Sequence, residues 1–195
     1  MSEKRYWKSL QLQNGKIISG YDKSPWIVGE WREVPPPPRS CEGLNCCENI
    51  IDAMGYVNME VLAEVEIDGK QITDDDKITA QRMRINHAWK WEKKDSVSMA
   101  IYAAELCLEH FEKEYPNDKR PRGAIEAAKR WIENPTEKNR WAAAARSAAW
   151  AAESARSAAR SARSAANIQK ARTTMKKKIH TWIVKRTKEL VKIEG

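Results

Sequence analysis

Four cysteines, three histidines and two short runs of carboxylates are the chemistry-bearing residues of this 195-residue chain. Cys41-x4-Cys46-Cys47 fits no usual zinc spacing, and adjacent cysteines rarely bridge each other. Free thiols are expected, with a Cys41–Cys46 or Cys41–Cys47 bridge as the alternative. Asp74-Asp75-Asp76 offers oxygen ligands but lacks the glycine and bidentate glutamate of a known cation loop, so a solvated turn is expected. His87, His110 and His180 stand more than twenty residues apart, without a paired ligand one helical turn away. None reads as a base or a metal ligand. Glu64 and Glu66 form a carboxylate pair, but strand alternation sends both to solvent. The expectation is therefore binding without catalysis, with no metal and no cofactor.

The elements around these residues divide the chain. Arg5–Gln13 and Lys16–Tyr21 flank Asn14-Gly15, the strongest short hairpin signal. Trp26–Trp31 is a further extended candidate. Pro35–Pro38 donates no backbone hydrogen bonds and is expected as a stiff polyproline II connection on the surface. Asn49–Tyr56 suits one or two helical turns. Val61–Ile67 is the clearest strand, with Val61, Ala63, Val65 and Ile67 on one face and Leu62, Glu64 and Glu66 on the other. Asp68-Gly69 is expected to turn the chain, and Lys77–His87 to return as its partner. Nine tryptophans against one phenylalanine make tryptophan the main large core filler.

Helical periodicity takes over after Asp95. Asp95 or Ser96 is the expected cap of Val97–Glu114, and Tyr115-Pro116-Asn117-Asp118 ends that helix. Pro121 suits the first turn of Pro121–Glu133, with Ile125, Ala128, Trp131 and Ile132 inward. Thr136 caps a long third helix, with a bend or break expected between Asn167 and Thr174. Inside it, Ala144–Ala166 repeats every seven residues in Ala, Ser and Arg. Trp141, Ala145, Ala148, Ala152, Ala155, Ala159, Ala162 and Ala166 alternate steps of four and three, a coiled-coil seam. Small side chains let helix axes approach closely but bury little area, so the seam needs a close partner, inside the chain or in a second copy.

Charge is concentrated at the same end. Thr136–Gly195 carries 15 basic and 4 acidic residues, +11, which leaves −3 for the remainder of a chain of net +8. Such a surface attracts an acidic protein or nucleic acid. The dense end from Lys170 to Lys188 interleaves Trp182, which can stack on a base. The sequence shows no signal-peptide core and no apolar run of membrane-spanning length, so a cytoplasmic protein without a membrane partner is expected.

Two segments resemble known families. Tyr115-Pro116-Asn117-Asp118-Lys119-Arg120-Pro121-Arg122, continued by Ala124–Ala128 and Trp131, resembles a motif of immunity proteins in bacterial polymorphic-toxin systems. That resemblance covers roughly Val97–Ala166 and implies an all-helical interaction scaffold. Gly29–Ile85 resembles an uncharacterised domain common in phages and mobile elements. It is carried by Cys41, Gly43, Asn45-Cys46-Cys47, Asp52-Ala53, Val61–Ile67, Gly69 and Asp76-Lys77. Where that pattern has a histidine, this chain has Asn45 or lacks the position. Together the two imply a phage or mobile-element origin. Glu64-x-Glu66 also resembles the Glu-x-Glu of ADP-ribosyltransferase-like enzymes, without a companion Arg/Ser or His/Tyr pattern.

The fold class expected is α+β: a small N-terminal antiparallel sheet of hairpins over 1–94, then an Ala-rich helical bundle over 95–195. The function expected is a phage-encoded, non-enzymatic module that binds and inhibits or modulates a bacterial defence or toxin protein. A basic nucleic-acid-binding accessory protein and a degenerate ADP-ribosyltransferase-like enzyme are the alternatives. The expected contact residues are Arg120, Arg122, Arg146, Trp150, Arg156, Arg160, Arg163, Lys176, Lys177 and Trp182.

Overall fold

Left-handed backbone at Asn14 (φ 53°) and Gly15 (φ 77°) makes a two-residue primed turn, the form whose twist matches a hairpin. In the computed structural model, which describes residues 4–136 and 165–194, that turn joins β1 (Tyr6–Gln13) to β2 (Lys16–Ile18). Two compact units are resolved: Met1–Glu92 with His180–Gly195, and Lys93–Ile179.

The first unit is an antiparallel sheet built on one long hairpin. β1 pairs with β5 (Val61–Thr73), and β5 with β6 (Ile78–Lys90). The other edge of β6 takes three short strands: β3 (Trp31–Glu33), β4 (Leu44–Cys46) and β7 (Lys192–Ile193). The chain leaving β4 then returns to β1. Trp7 N–H donates to Cys47 O at 2.8 Å, and Cys47 N–H to Trp7 O at 2.9 Å. The sheet thus closes on itself.

Val61, Ala63 and Val65 share one buried cluster with Leu10, Met83 and Ile85, and Ile67 packs partly against it, as alternation requires. The opposite face is also covered, since Trp7 and Leu62 are fully buried. There α1 (Ile50–Met54), capped by the Asn49 side chain on Ile51 N–H, brings Ile50 inward. α4 (Ala165–Arg186) contributes its residues from His180 onward to this unit. His180 sets its ring edge-on to Trp7, and Ile183 is fully buried.

Several local expectations are corrected. Asp68-Gly69 does not turn the chain. Gly69 (φ 72°) and Lys70 lie opposite Gln81 alone, a bulge, after which pairing resumes at Gln71 and Ala80. The turn falls at Asp74–Lys77, where Asp74 N–H donates to Lys77 O. The proline run is not wholly superficial, because Pro37 is fully buried. The helix of the second unit starts at Lys93, so Asp95 lies within its first turn, 1% exposed, instead of capping it. α4 runs unbroken through Asn167–Thr174, a stretch without Pro or Gly.

In the second unit α2 (Lys93–Glu114) and α3 (Arg120–Glu133) pack through Ile101, Ala104 and Ile125, flanked by Val97, Leu108, Ala128 and Ile132. Pro121 sits in the first turn of α3 and is fully buried. The Ala-rich repeat and its seam, apart from the backbone of Ala165 and Ala166, lie outside the described residues.

Candidate functional site

The elbow between α2 and α3 is built by carboxylates that hold arginines. Asp118 accepts the Arg120 backbone N–H at 3.0 Å and its Nε at 2.9 Å. These bonds hold the Asp118 carboxyl down at about 2, the Arg120 side chain being the main cause. Arg122 forks onto Glu112 through Nε at 2.7 Å and Nη2 at 2.6 Å, tying α3 to α2. Phe111 and Tyr115 stack at 5.0 Å between ring centroids where α2 ends. An adjoining cavity of about 1080 Å³ is lined by Tyr115, Asp118, Arg120, Glu126 and Arg130. Arg120 and Arg122, two of the expected contact residues, are therefore half-exposed and preset in direction by intramolecular carboxylates.

On α4, Lys177 is exposed, while Lys176 and Trp182 are half-buried. Arg186 covers the Trp182 ring at 5.6 Å, which occupies one face of the expected stacking platform. α4 carries seven Lys and Arg and no Asp or Glu. Arg146, Trp150, Arg156, Arg160 and Arg163 lie outside the described residues.

A second site, not foreseen from the sequence, is a cleft of about 830 Å³ in the sheet unit. It opens beside β1 between two pairings, the Cys47 bridge at Trp7 and the β2 ladder that begins at Gln11. Cys41, Gly43, Asn45, Cys46, Cys47, Ala53 and Lys77 all line it, so residues scattered along the Gly29–Ile85 motif converge here. The residues that sequence reasoning missed are Lys8, Ser9, Trp26 and Arg32. Lys8 Nζ donates to Asn45 O at 2.7 Å and lies 5.3 Å from the Trp26 ring centre, with the Arg32 guanidinium 5.1 Å from the same ring. Burial pushes the Lys8 amine down to about 8. Burial likewise pushes the Cys46 thiol up to about 12. Exposed Cys41 moves the opposite way, because Lys77 and Ser40 stabilise its thiolate. Besides those motif residues, the signal of this site in the sequence was a lysine on the strand face that also carries Leu10.

The other weighed chemistries resolve into structural contacts. Glu64 is not sent to solvent; its side chain is 14% exposed and forked by Arg5. Glu66 pairs with Arg84. Asp74 accepts from Ser40, and Asp76 from the Tyr56 hydroxyl, which is thereby raised above its ordinary range. Among the described residues no acidic, histidine and cysteine group has a metal-holding arrangement. None of the four cysteines is in a disulfide. His180 Nδ1 accepts the Ile50 N–H at 3.1 Å, and burial lowers its affinity for a proton. No helix among the described residues is long and apolar enough to cross a membrane.

Residues 13–96 match the model of a family described as a domain of unknown function, DUF7666. Residues 87–181 match that of the Imm-5 like putative immunity protein family. The first match contains most of the cleft but begins after Lys8 and Ser9; the second contains the α2–α3 elbow and α4 as far as Thr181. No curated protein and no solved structure matches the chain.

Proposed function

We propose that this chain is an immunity-type protein: a non-catalytic module that binds a bacterial toxin or defence protein and inhibits or modulates it. The observation that carries this reading is the immunity-family match over 87–181, which includes an elbow whose arginines are held in place. Preset guanidinium groups lose less entropy on meeting an acidic partner than free side chains do. The contact residues in this reading are Arg120, Arg122, Lys176, Lys177 and Trp182, and, outside the described residues, Arg146, Trp150, Arg156, Arg160 and Arg163. A second copy pairs through the Ala seam, which light scattering reads directly. The resemblance of Gly29–Ile85 supports a phage or mobile-element source and a host-cytoplasmic location.

The test is partner capture on the full chain from nuclease-treated bacterial lysate, followed by expression of the captured protein. The expected partner arrests growth when expressed alone, and co-expression of this chain restores growth. Reversing two charges of these contact residues, Lys176→Glu with Lys177→Glu, weakens both capture and rescue. A partner that never affects growth, or rescue unchanged by the reversal, refutes the reading.

A nucleic-acid role is the second reading, favoured by a helix with seven cations and no acids. Filter binding to duplex DNA and to RNA decides it. Retention that falls steeply with salt supports it, and no retention at low salt removes it.

A further inference from the structure

The cleft of the sheet unit gathers hydrogen-bond donors and cations faster than acceptors. Ser9 Oγ and Trp26 Nε1 both belong to residues that line it, both are more than nine-tenths buried, and neither has a hydrogen-bond partner. Buried polar groups of this kind are normally satisfied, because leaving one unpaired costs about 1–3 kcal/mol. The Lys8 ammonium has three donors and donates one to Asn45 O; no carboxylate pairs with it among the described residues. The Arg32 guanidinium lies 5.1 Å from the centre of the same indole. The acids at the rim are already engaged. Asp22 accepts from Ser24 and from Arg32, and Glu42 from Arg39. Leu10, Leu44, Val34 and Val57 add apolar wall, with Lys77 a further cation of the lining, and the volume of about 830 Å³ is that of a small-molecule site.

We propose that this cleft binds a small organic anion: a carboxylate or phosphate on an apolar body, its charge held by Lys8 beside Trp26. The anion supplies the acceptor that Lys8 lacks, beside the indole whose N–H is unpaired. The apolar body displaces water from the leucine and valine walls. A cation is disfavoured by Lys8 and Arg32 together, and a neutral apolar molecule leaves the buried donors unpaired. This site is independent of the immunity reading, since all of its residues lie in the sheet unit.

The probe is anilinonaphthalenesulfonate, an aromatic anion whose emission rises on leaving water, titrated into the full-length protein. Saturable binding at one site per chain is expected. Benzoate and phenyl phosphate are the competitors, and the stronger of the two identifies the headgroup class. Lys8→Met weakens binding at least about tenfold, the scale of a charge-assisted hydrogen bond. Lys8→Arg keeps the charge and retains most of the affinity, while Lys70→Met, on the exposed bulge, changes nothing. Binding fades as pH rises through about 8, where the Lys8 amine loses its proton. The groups that face it are Arg32 on β3, Asp22 in the loop after β2, and Cys46 with Cys47 at the end of β4. Circular dichroism checks that each variant folds. Equal affinity in Lys8→Met and wild type, a flat profile across that pH range, or displacement by neither competitor overturns the proposal.

Discussion

Replacing Lys8 by methionine removes a charge that the fold holds at a cost. The amine sits at about 8, against 10.5 for an unburied lysine. Each tenfold fall in proton affinity corresponds to about 1.4 kcal/mol, so a charged Lys8 costs the folded state up to about 3 kcal/mol. Water entering the cleft and loss of the bond to Asn45 O both reduce the gain from removing it. Lys8→Met is therefore expected to stabilise the protein by about 1–2 kcal/mol near neutral pH. The pH dependence has a fixed sign. Below about 8 the amine is protonated in both folded and unfolded chains, and the penalty is fully present. As pH rises from about 8 towards 10.5, the folded protein releases its proton first and the penalty fades. The advantage of the variant is thus largest below pH 8 and shrinks towards pH 10. Urea unfolding of both proteins across this range, followed by tryptophan fluorescence, measures the difference. A variant less stable than wild type near pH 7, or a difference that does not change with pH, refutes the reasoning.

Four further outcomes are expected. Ile183→Ala empties a fully buried site in the sheet unit and lowers stability by about 2–5 kcal/mol, read as a drop in the thermal midpoint. Gly43→Ala places a methyl 2.8 Å from Thr79 Cγ2 and 3.1 Å from Ala80 O, so β4 must shift against β6. About 1–3 kcal/mol is lost, and denaturant titration shows it. In native labelling with iodoacetamide, Cys41 reacts first and well before Cys46, because one thiolate is exposed and stabilised while the other thiol is buried; equal rates contradict that order. In an NMR titration the Asp118 carboxyl protonates only near pH 2, and Arg120→Ala brings its midpoint back towards the ordinary carboxylate range.

Much of the scaffold was legible because its causes are local. Asn14-Gly15 demands left-handed backbone wherever it occurs, and it made the first hairpin. The alternation of Val61, Ala63 and Val65 chose their face, and Pro121 opened α3 where a missing N–H does no harm. Asp68-Gly69 misled because the same residue pair suits a turn and a bulge. Only the continued pairing of Gln71 with Ala80 distinguishes the two. Asp95 misled as a cap because α2 begins two residues earlier, at Lys93.

The cleft was not legible for a different reason. Lys8, Trp26, Arg32 and Asn45 are far apart in the chain, and their meeting depends on Cys47 returning to Trp7 and on β3 and β4 sharing one edge of β6. The return of the last residues to the same sheet, through β7 on Ala88 and Trp89, is equally a long-range pairing. Residue order alone determined the Asn14-Gly15 turn, the inward face of Val61, Ala63 and Val65, the place of Pro121 in the first turn of α3 and where positive charge accumulates, since each depends on neighbours within a few positions. Tertiary closure decided which lysine loses its water and which hydroxyl loses its partner, because desolvation depends on segments that only folding brings together.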